Sequence, residues 1–343
     1  MRRHLQRLAC AVVAAALATA LGAEESIRGA VRRFDEALLQ AQSTTALVTL
    51  GFITYADTNT CGTVVPFMQR EIQAACADSR RISIVKTTEL SEYEQAGIAT
   101  RGLTMGMSKK ARTGGEKRYI LDGTYRENAP YVELTLSMHD ADGAVLAVHT
   151  ARIAQSVLDA QQLTLYPQNK QLAQTIQADF DTVVTETEHE QDSPQQKPRE
   201  RPIGIAASML DAGGNLVNML RANDIVRFKI CADTDCYLAI LCIDANGAKT
   251  WLPITDNFLE ADRVRLFPDI AGAVLRVADD GVFGAEQVVI YACTDERGLP
   301  ARQAGGKYAS EDLHAIMRKQ KLAREQANYG IGTFKITYTI MEH

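Results

Sequence analysis

Residues 186–203 cannot be built into a folded core, and that constrains everything on either side of them. The run Glu186-Thr187-Glu188-His189-Glu190-Gln191-Asp192 leads into a stretch holding Pro194, Pro198 and Pro202. Three prolines so close together, with no aromatic residue and no apolar periodicity, describe an extended, solvated linker. The chain is therefore expected to form two folded parts, residues 28–185 and residues 204–343, joined by a disordered polar linker at 186–203. At 343 residues, 46% hydrophobic and 23% charged, it has enough apolar material for two cores.

The N-terminus carries a different signal. Arg2, Arg3 and Arg7 precede an apolar run of small residues from Leu8 to Leu21, and Leu21-Gly22-Ala23 offers a small-residue cleavage site. That run has the length of a signal-peptide core and is too short to span a bilayer. Residues 1–23 are thus expected to be a cleavable secretory signal, which places the mature chain in the periplasm or at the outer membrane, with no membrane span after cleavage. Leu8-Ala9-Cys10 resembles a lipidation site only superficially, because Arg7 stands within it.

The chain holds 37 basic and 42 acidic residues, and removing the three n-region arginines leaves 34 against 42, a balance of about −8. A nucleic-acid partner needs a basic face for phosphates, so none is expected. Lys109-Lys110-Ala111-Arg112 is the one local basic run, and it reads as a solvated loop.

In the first part, Ile27, Val31, Phe34 and Leu38 recur at helical spacing within residues 27–42, with Leu39 widening the stripe. A strand follows at Ala46 to Tyr55, then a helix opening at Gly62 or Thr63 with Pro66 in its first turn, and a strand at Ile82 to Val85. Ser91 and Glu94 form a capping box for an irregular third helix. Tyr119 to Tyr125, Tyr131 to Met138 and Val145 to Ile153 read as strands, with Asp142-Gly143 in a hairpin turn, and Pro167 to Val184 as a closing helix. The second part is strand after strand: Ile203 to Met209, Asp224 to Cys231, Cys236 to Ile243, Thr250 to Pro253, Val264 to Phe267, Val274 to Val277 and Gln287 to Cys293. A late helix is capped by Ser310, and Phe334 to Ile340 close the chain. The expected fold is a two-domain one: an α/β layered N-terminal domain, then a mainly β sandwich or open barrel with one late helix.

Two resemblances attach to these residues. The strand Leu47-Val48-Thr49-Leu50-Gly51-Phe52, the helix holding Phe67-Met68 and Ile72, the strand Arg81 to Val85 and the segment Tyr119-Ile120-Leu121-Asp122-Gly123-Thr124-Tyr125 resemble the curli-channel-like and flagellar outer-membrane-protein-like domains of bacterial envelopes. They are also similar to the N-terminal domain of the Tol-Pal translocation protein. The segments Leu220 to Phe228, Cys236 to Gly247 and Val288 to Cys293 resemble the domain of unknown function 4384. Trp251-Leu252-Pro253-Ile254 departs from that family's usual Leu-(Phe/Tyr)-Pro followed by Asn. The resemblances imply envelope domains that work by contact, with other envelope proteins as partners and an oligomer as a further possibility.

Chemistry is hard to find. Cys231 and Cys236 have the wrong spacing for a zinc site, but they flank a four-residue turn read as a hairpin, so they either bridge across it or pack as two thiols. His139, His149 and His189 accompany no nucleophile motif, Gly305-Gly306-Lys307 lacks the rest of a phosphate loop, and Asp233, Asp235 and Asp244 lack calcium-loop spacing. No catalytic residue, cofactor or metal site is expected. The leading expectation is a non-enzymatic envelope protein acting in binding or assembly. The alternative is an exported hydrolase or ligand-binding protein with a site between the domains.

Overall fold

In a computed structural model, the described residues are 26–41, 46–85, 118–140, 143–175, 203–268, 273–300 and 330–342. The expected signal peptide, the helix at Ser91, the linker up to residue 202 and the late helix at Ser310 lie outside them. Among the described residues, no helix is long and apolar enough to cross a membrane.

The first part layers two helices on one face of a five-stranded sheet. Helix α1 (Ile27–Ala41) starts where Ser26 accepts the Gly29 N–H at its hydroxyl, an N-cap bond. Its stripe of Ile27, Ala30, Val31, Phe34 and Leu38 is buried, but Leu39 is 56% exposed and falls off that stripe. Helix α2 (Val64–Ala77) buries Val64, Val65, Met68, Ile72 and Cys76. The sheet runs β2 (Ile82–Ile84), β1 (Ala46–Tyr55), β3 (Arg118–Asn128), β4 (Tyr131–Asp140), β5 (Val145–Ala154). β1 is parallel to β2 and β3, while β3, β4 and β5 form an antiparallel meander. Val48, Leu121, Leu134 and Leu136 meet the helices in one core. A short helix, α3 (Gln155–Ala160), follows β5. The chain then forms a strap over residues 161–175, which becomes helical from residue 170.

The second part is a sandwich. One sheet has the order β10 (Lys249–Trp251), β9 (Cys236–Ile243), β14 (Gly284–Cys293), β15 (Ile331–Met341), β7 (Met219–Arg221), with β11 (Phe258–Leu259) also on β9. The other centres on β8 (Ile225–Ala232), flanked by β12 (Arg265–Phe267), β13 (Leu275–Arg276) and β6 (Ile205–Asp211). Met209, Phe228 and Ile230 pack between the sheets against Leu238, Ile240, Val288 and Ile290. Leu241, Val289, Tyr291 and Cys293 form a further buried cluster on the other face of the six-stranded sheet. β9 and β14 are thus buried on both faces, which is why their sequences are continuous apolar runs instead of alternating ones.

One sequence expectation is corrected here. The turn after Cys231 does not close a hairpin: β8 belongs to the four-stranded sheet and β9 to the six-stranded one, so the turn crosses from one layer to the other. Asn246-Gly247 does close a hairpin, with β9 and β10 antiparallel and Gly247 in the left-handed region at φ 83°. Ile203, where the expected linker and the expected first strand meet, is buried in the sandwich core.

The two parts touch. Asn169 of the strap donates to the Ala245 and Ala285 carbonyls at 2.9 Å each and accepts the Ala285 N–H at 2.6 Å. Thr339 Oγ1 accepts the Cys61 N–H at 3.1 Å, and Asn218 donates to Cys61 Sγ at 3.4 Å. Met219 packs against the first core and Leu216 against Ile120. The strap is tied to β1 by Lys170, whose ammonium lies 5.4 Å from the centre of the Tyr55 ring, and to β3 by a Tyr166–Glu127 hydrogen bond.

Candidate functional site

Three of the thiols are poor nucleophiles. No disulfide joins any of the described cysteines, and Cys61, Cys76, Cys231, Cys236 and Cys293 are buried while Cys242 is half-buried. The hairpin that was to bring Cys231 and Cys236 together is absent, which removes the geometric reason for a bridge between them. Burial pushes the Cys76, Cys236 and Cys242 thiols up to about 12, with nearby carboxylates adding to the effect. A thiol so raised supplies almost no thiolate at neutral pH.

The acids singled out in the sequence accept backbone N–H groups, Asp244 within its own turn and Asp233 and Asp235 from distant segments. Asp233 accepts the Gly204 N–H at 2.8 Å, Asp235 accepts the Ala261 N–H at 2.7 Å, and Asp244 accepts the N–H groups of Asn246 and Ala248 at 2.9 and 2.8 Å. Among the described residues, no group of three or more His, Cys, Asp or Glu is placed to hold a metal ion. His189 and Gly305 to Lys307 lie outside the described residues. Along the seam between the parts, both carboxyl oxygens of Glu286 are engaged, one by the Tyr338 hydroxyl at 2.7 Å and the other by the Ala245 N–H at 3.3 Å. Burial holds that carboxyl above its ordinary range.

His139 has a partner, though not a catalytic one. Its Nε2 lies 3.0 Å from Asp122 Oδ2 and its Nδ1 lies 3.3 Å from the Asp140 carbonyl. A ring between two oxygen acceptors is satisfied when both nitrogens carry protons, which leaves no lone pair to act as a base. Burial pushes the imidazole down, but the Asp122 hydrogen bond and charge, with Asp140 behind them, outweigh it and hold it above its ordinary value. A raised folded value stabilises the fold fully below about pH 6.5, and that contribution is lost as pH climbs through the folded value. Denaturant titrations from about pH 6 to about pH 9 should show stability declining in the wild type, with Asp122→Asn flattening the decline. An unchanged slope in Asp122→Asn would remove the pair from the account.

Among the described residues, the second face of the first sheet is covered by neither α1 nor α2, and Leu216 packs on it at Ile120. The two helices cover a single side of β1–β5. The other side of the meander carries residues two apart: Asp122, Thr124 and Arg126 on β3, Glu133, Thr135 and Ser137 on β4, and Val148, Thr150 and Arg152 on β5. Register sets them in rows. Arg126 bonds Glu133 at 2.9 Å and Arg152 bonds Glu133 at 3.4 Å, giving a three-strand row of alternating sign. The next row pairs Thr124 with Thr135, and the Thr135 and Thr150 hydroxyls lie 3.3 Å apart. Glu133 is only 9% exposed at its side chain, whereas Arg126 is 67% exposed, so the carboxylate is sunk between its cations and presents their charge outward. Burial pushes the Glu133 carboxyl up, but hydrogen bonds from Arg126 and Asn128 and the charges of Arg126 and Arg152 pull it below its ordinary value.

None of these nine face residues was named as a candidate site residue in the sequence. Their period-two polarity is visible there, at Asp122-x-Thr124-x-Arg126 and Glu133-x-Thr135-x-Ser137, but it marks exposure and not function.

Set beside known proteins, the chain has no match among protein-family models and none among curated proteins. Two of the solved structures that align with it are C-terminal domains of LpoB. The one from Escherichia coli is 14% identical with a TM-score of 0.22, and the one from Salmonella enterica is 16% identical with a TM-score of 0.23. Each covers 38% of this chain and 98% of the domain. TolB from Acinetobacter baumannii aligns over 79% of this chain and 72% of its own, at 8% identity and a TM-score of 0.19. Likenesses at these scores carry no argument about function.

Proposed function

We propose that this chain is an exported envelope protein that works by contact and not by catalysis, with the open face of the β3–β4–β5 meander as its recognition surface. The observation that carries the reading is the row Arg126–Glu133–Arg152, an ordered and charged set of side chains on a sheet face that the helices leave uncovered. Support comes from the raised Cys76, Cys236 and Cys242 thiols and the doubly engaged His139, none of which offers a thiolate or a free imidazole lone pair. The signal-like N-terminus supports an envelope location, and the resemblance of each part to envelope domains belongs to the same proposal.

The test is site-specific photo-crosslinking in intact cells. A photoreactive residue at Thr135 should give a discrete adduct with an envelope component, and one at Leu39, exposed on α1, should not. Arg126→Glu combined with Arg152→Glu should abolish the adduct, and the mature chain should begin at residue 24. Retention of the uncleaved chain in the cytoplasm, or equal adducts from both positions, would overturn the proposal.

A further inference from the structure

β5 is an end strand of its five-stranded sheet, paired on one side with β4. Its outward backbone groups follow from register. Gln155 N–H bonds the Pro130 carbonyl at 3.0 Å, so the pair one step further, Tyr131 and Ala154, is of the non-bonded kind, and the two kinds alternate along the ladder. Glu133–Arg152, Thr135–Thr150 and Ser137–Val148 are therefore non-bonded pairs too. The N–H and C=O groups of Val148, Thr150 and Arg152 point away from β4, towards the open edge. No proline or lysine blunts this ten-residue strand, and Val145 at its start is 62% exposed. The opposite edge strand, β2, has three residues and offers far less.

The side chains say what fits. The row Arg126–Glu133–Arg152 carries one more cation than anion and ends at the edge on Arg152. The neighbouring rows end on Thr150 and Val148. A strand that continued the sheet would meet a cation, a hydroxyl and an apolar group at alternate positions. A second copy of β5 supplies no acid, since the strand reads VLAVHTARIA. An extended segment with an acidic residue, then Thr, then Val at alternate positions completes the charge alternation and both neighbouring rows.

We propose that the β5 edge binds an extended, acid-bearing segment of a partner protein by strand addition, a proposal that rests on the contact reading above and names the partner's chemistry.

The probe is a fluorescein-labelled nine-residue peptide with glutamate, threonine and valine at successive alternate positions, in the order that faces Arg152, Thr150 and Val148 in an antiparallel pairing. A control peptide carries lysine in place of the glutamate. The purified chain should bind the acidic peptide saturably in anisotropy, with added hydrogen-exchange protection across β5, and should bind the lysine peptide far more weakly. Thr150→Pro removes an outward N–H without touching a β4 ladder bond, and should weaken binding by about tenfold, the cost of a hydrogen bond or more. Arg152→Gln, which keeps the strand intact, should erase the preference for glutamate over lysine even if the proline variant folds poorly. No saturation by the acidic peptide, equal binding of both peptides, or a chain that dimerises through β5 instead would overturn the proposal. The Thr135 crosslink reads the sheet face, so a negative peptide result beside a positive crosslink separates this inference from the functional reading.

Discussion

Gly62→Ala should destabilise the protein by about 4 kcal/mol, combining overpacking with the loss of buried hydrogen bonds. A Cβ at Gly62 would lie 2.2 Å from the Thr164 carbonyl oxygen and 2.5 Å from the Leu165 carbonyl carbon, both of them backbone atoms that no rotamer change can move. The strap cannot retreat cheaply. The Tyr125 hydroxyl accepts the Gly62 N–H at 2.9 Å and donates to the Leu165 carbonyl at 2.7 Å, and Val64 N–H bonds the Thr164 carbonyl at 3.1 Å. Thr63 adds its own hydroxyl as acceptor for the Thr164 N–H at 2.7 Å. Opening the gap by an ångström strains all four contacts, and Tyr125 is fully buried, so its hydroxyl has no water to turn to. Gly281→Ala is the matched comparison, because it lies at φ 74° with nothing within 4 Å of its Cβ position and should cost only about 1 kcal/mol of backbone strain. Urea melts of the two variants decide the matter: equal losses would mean that the close approach at Gly62 contributes nothing.

The strap contact is the kind of feature the sequence does not display. Strands β1 and β9 were legible to the residue, because their apolar runs are bounded by turn-forming residues and satisfy local rules alone. α1 was legible through its stripe, although Leu39, one step round the helix, faces water. Local rules also marked a reversal after Cys231, correctly, but a turn says nothing about which sheet takes the next strand; that choice is made by the packing of Phe228 and Ile230 against Leu238 and Ile240 across the sandwich. β7 and β11, of three and two residues, and the six-residue α3 are too short to show a period. The row Arg126–Glu133–Arg152 needs the register of three strands before its members become neighbours. Asn169 carries no motif at all, since its partners are main-chain atoms at residues 245 and 285.

Asn169 accordingly supports the second large effect. Its amide makes three bonds to the β sandwich, two donated to carbonyls and one accepted from an N–H. The approach is close enough that a Cβ at Gly284 would sit 2.4 Å from Asn169 Oδ1, and Gly284 adopts φ 136°. Asn169→Ala should cost about 3 kcal/mol, about 1 kcal/mol per bond. The effect should appear as a loss of coupling between the two parts as well as a lower midpoint. Trp251, the chain's single tryptophan, packs against Tyr291 in the sandwich and reports on that part alone, whereas far-UV circular dichroism reports on both. In the wild type the two signals should melt together, and in Asn169→Ala they should separate. Asn169→Asp tests the polarity of the contact: it nearly preserves the shape but turns a carboxylate oxygen towards the Ala245 and Ala285 carbonyls, so two attractive contacts become repulsive. Aspartate should therefore be at least as damaging as alanine. Packing alone would give the opposite order, with aspartate close to wild type, so the ranking of the two variants tells whether hydrogen bonds or shape hold the parts together.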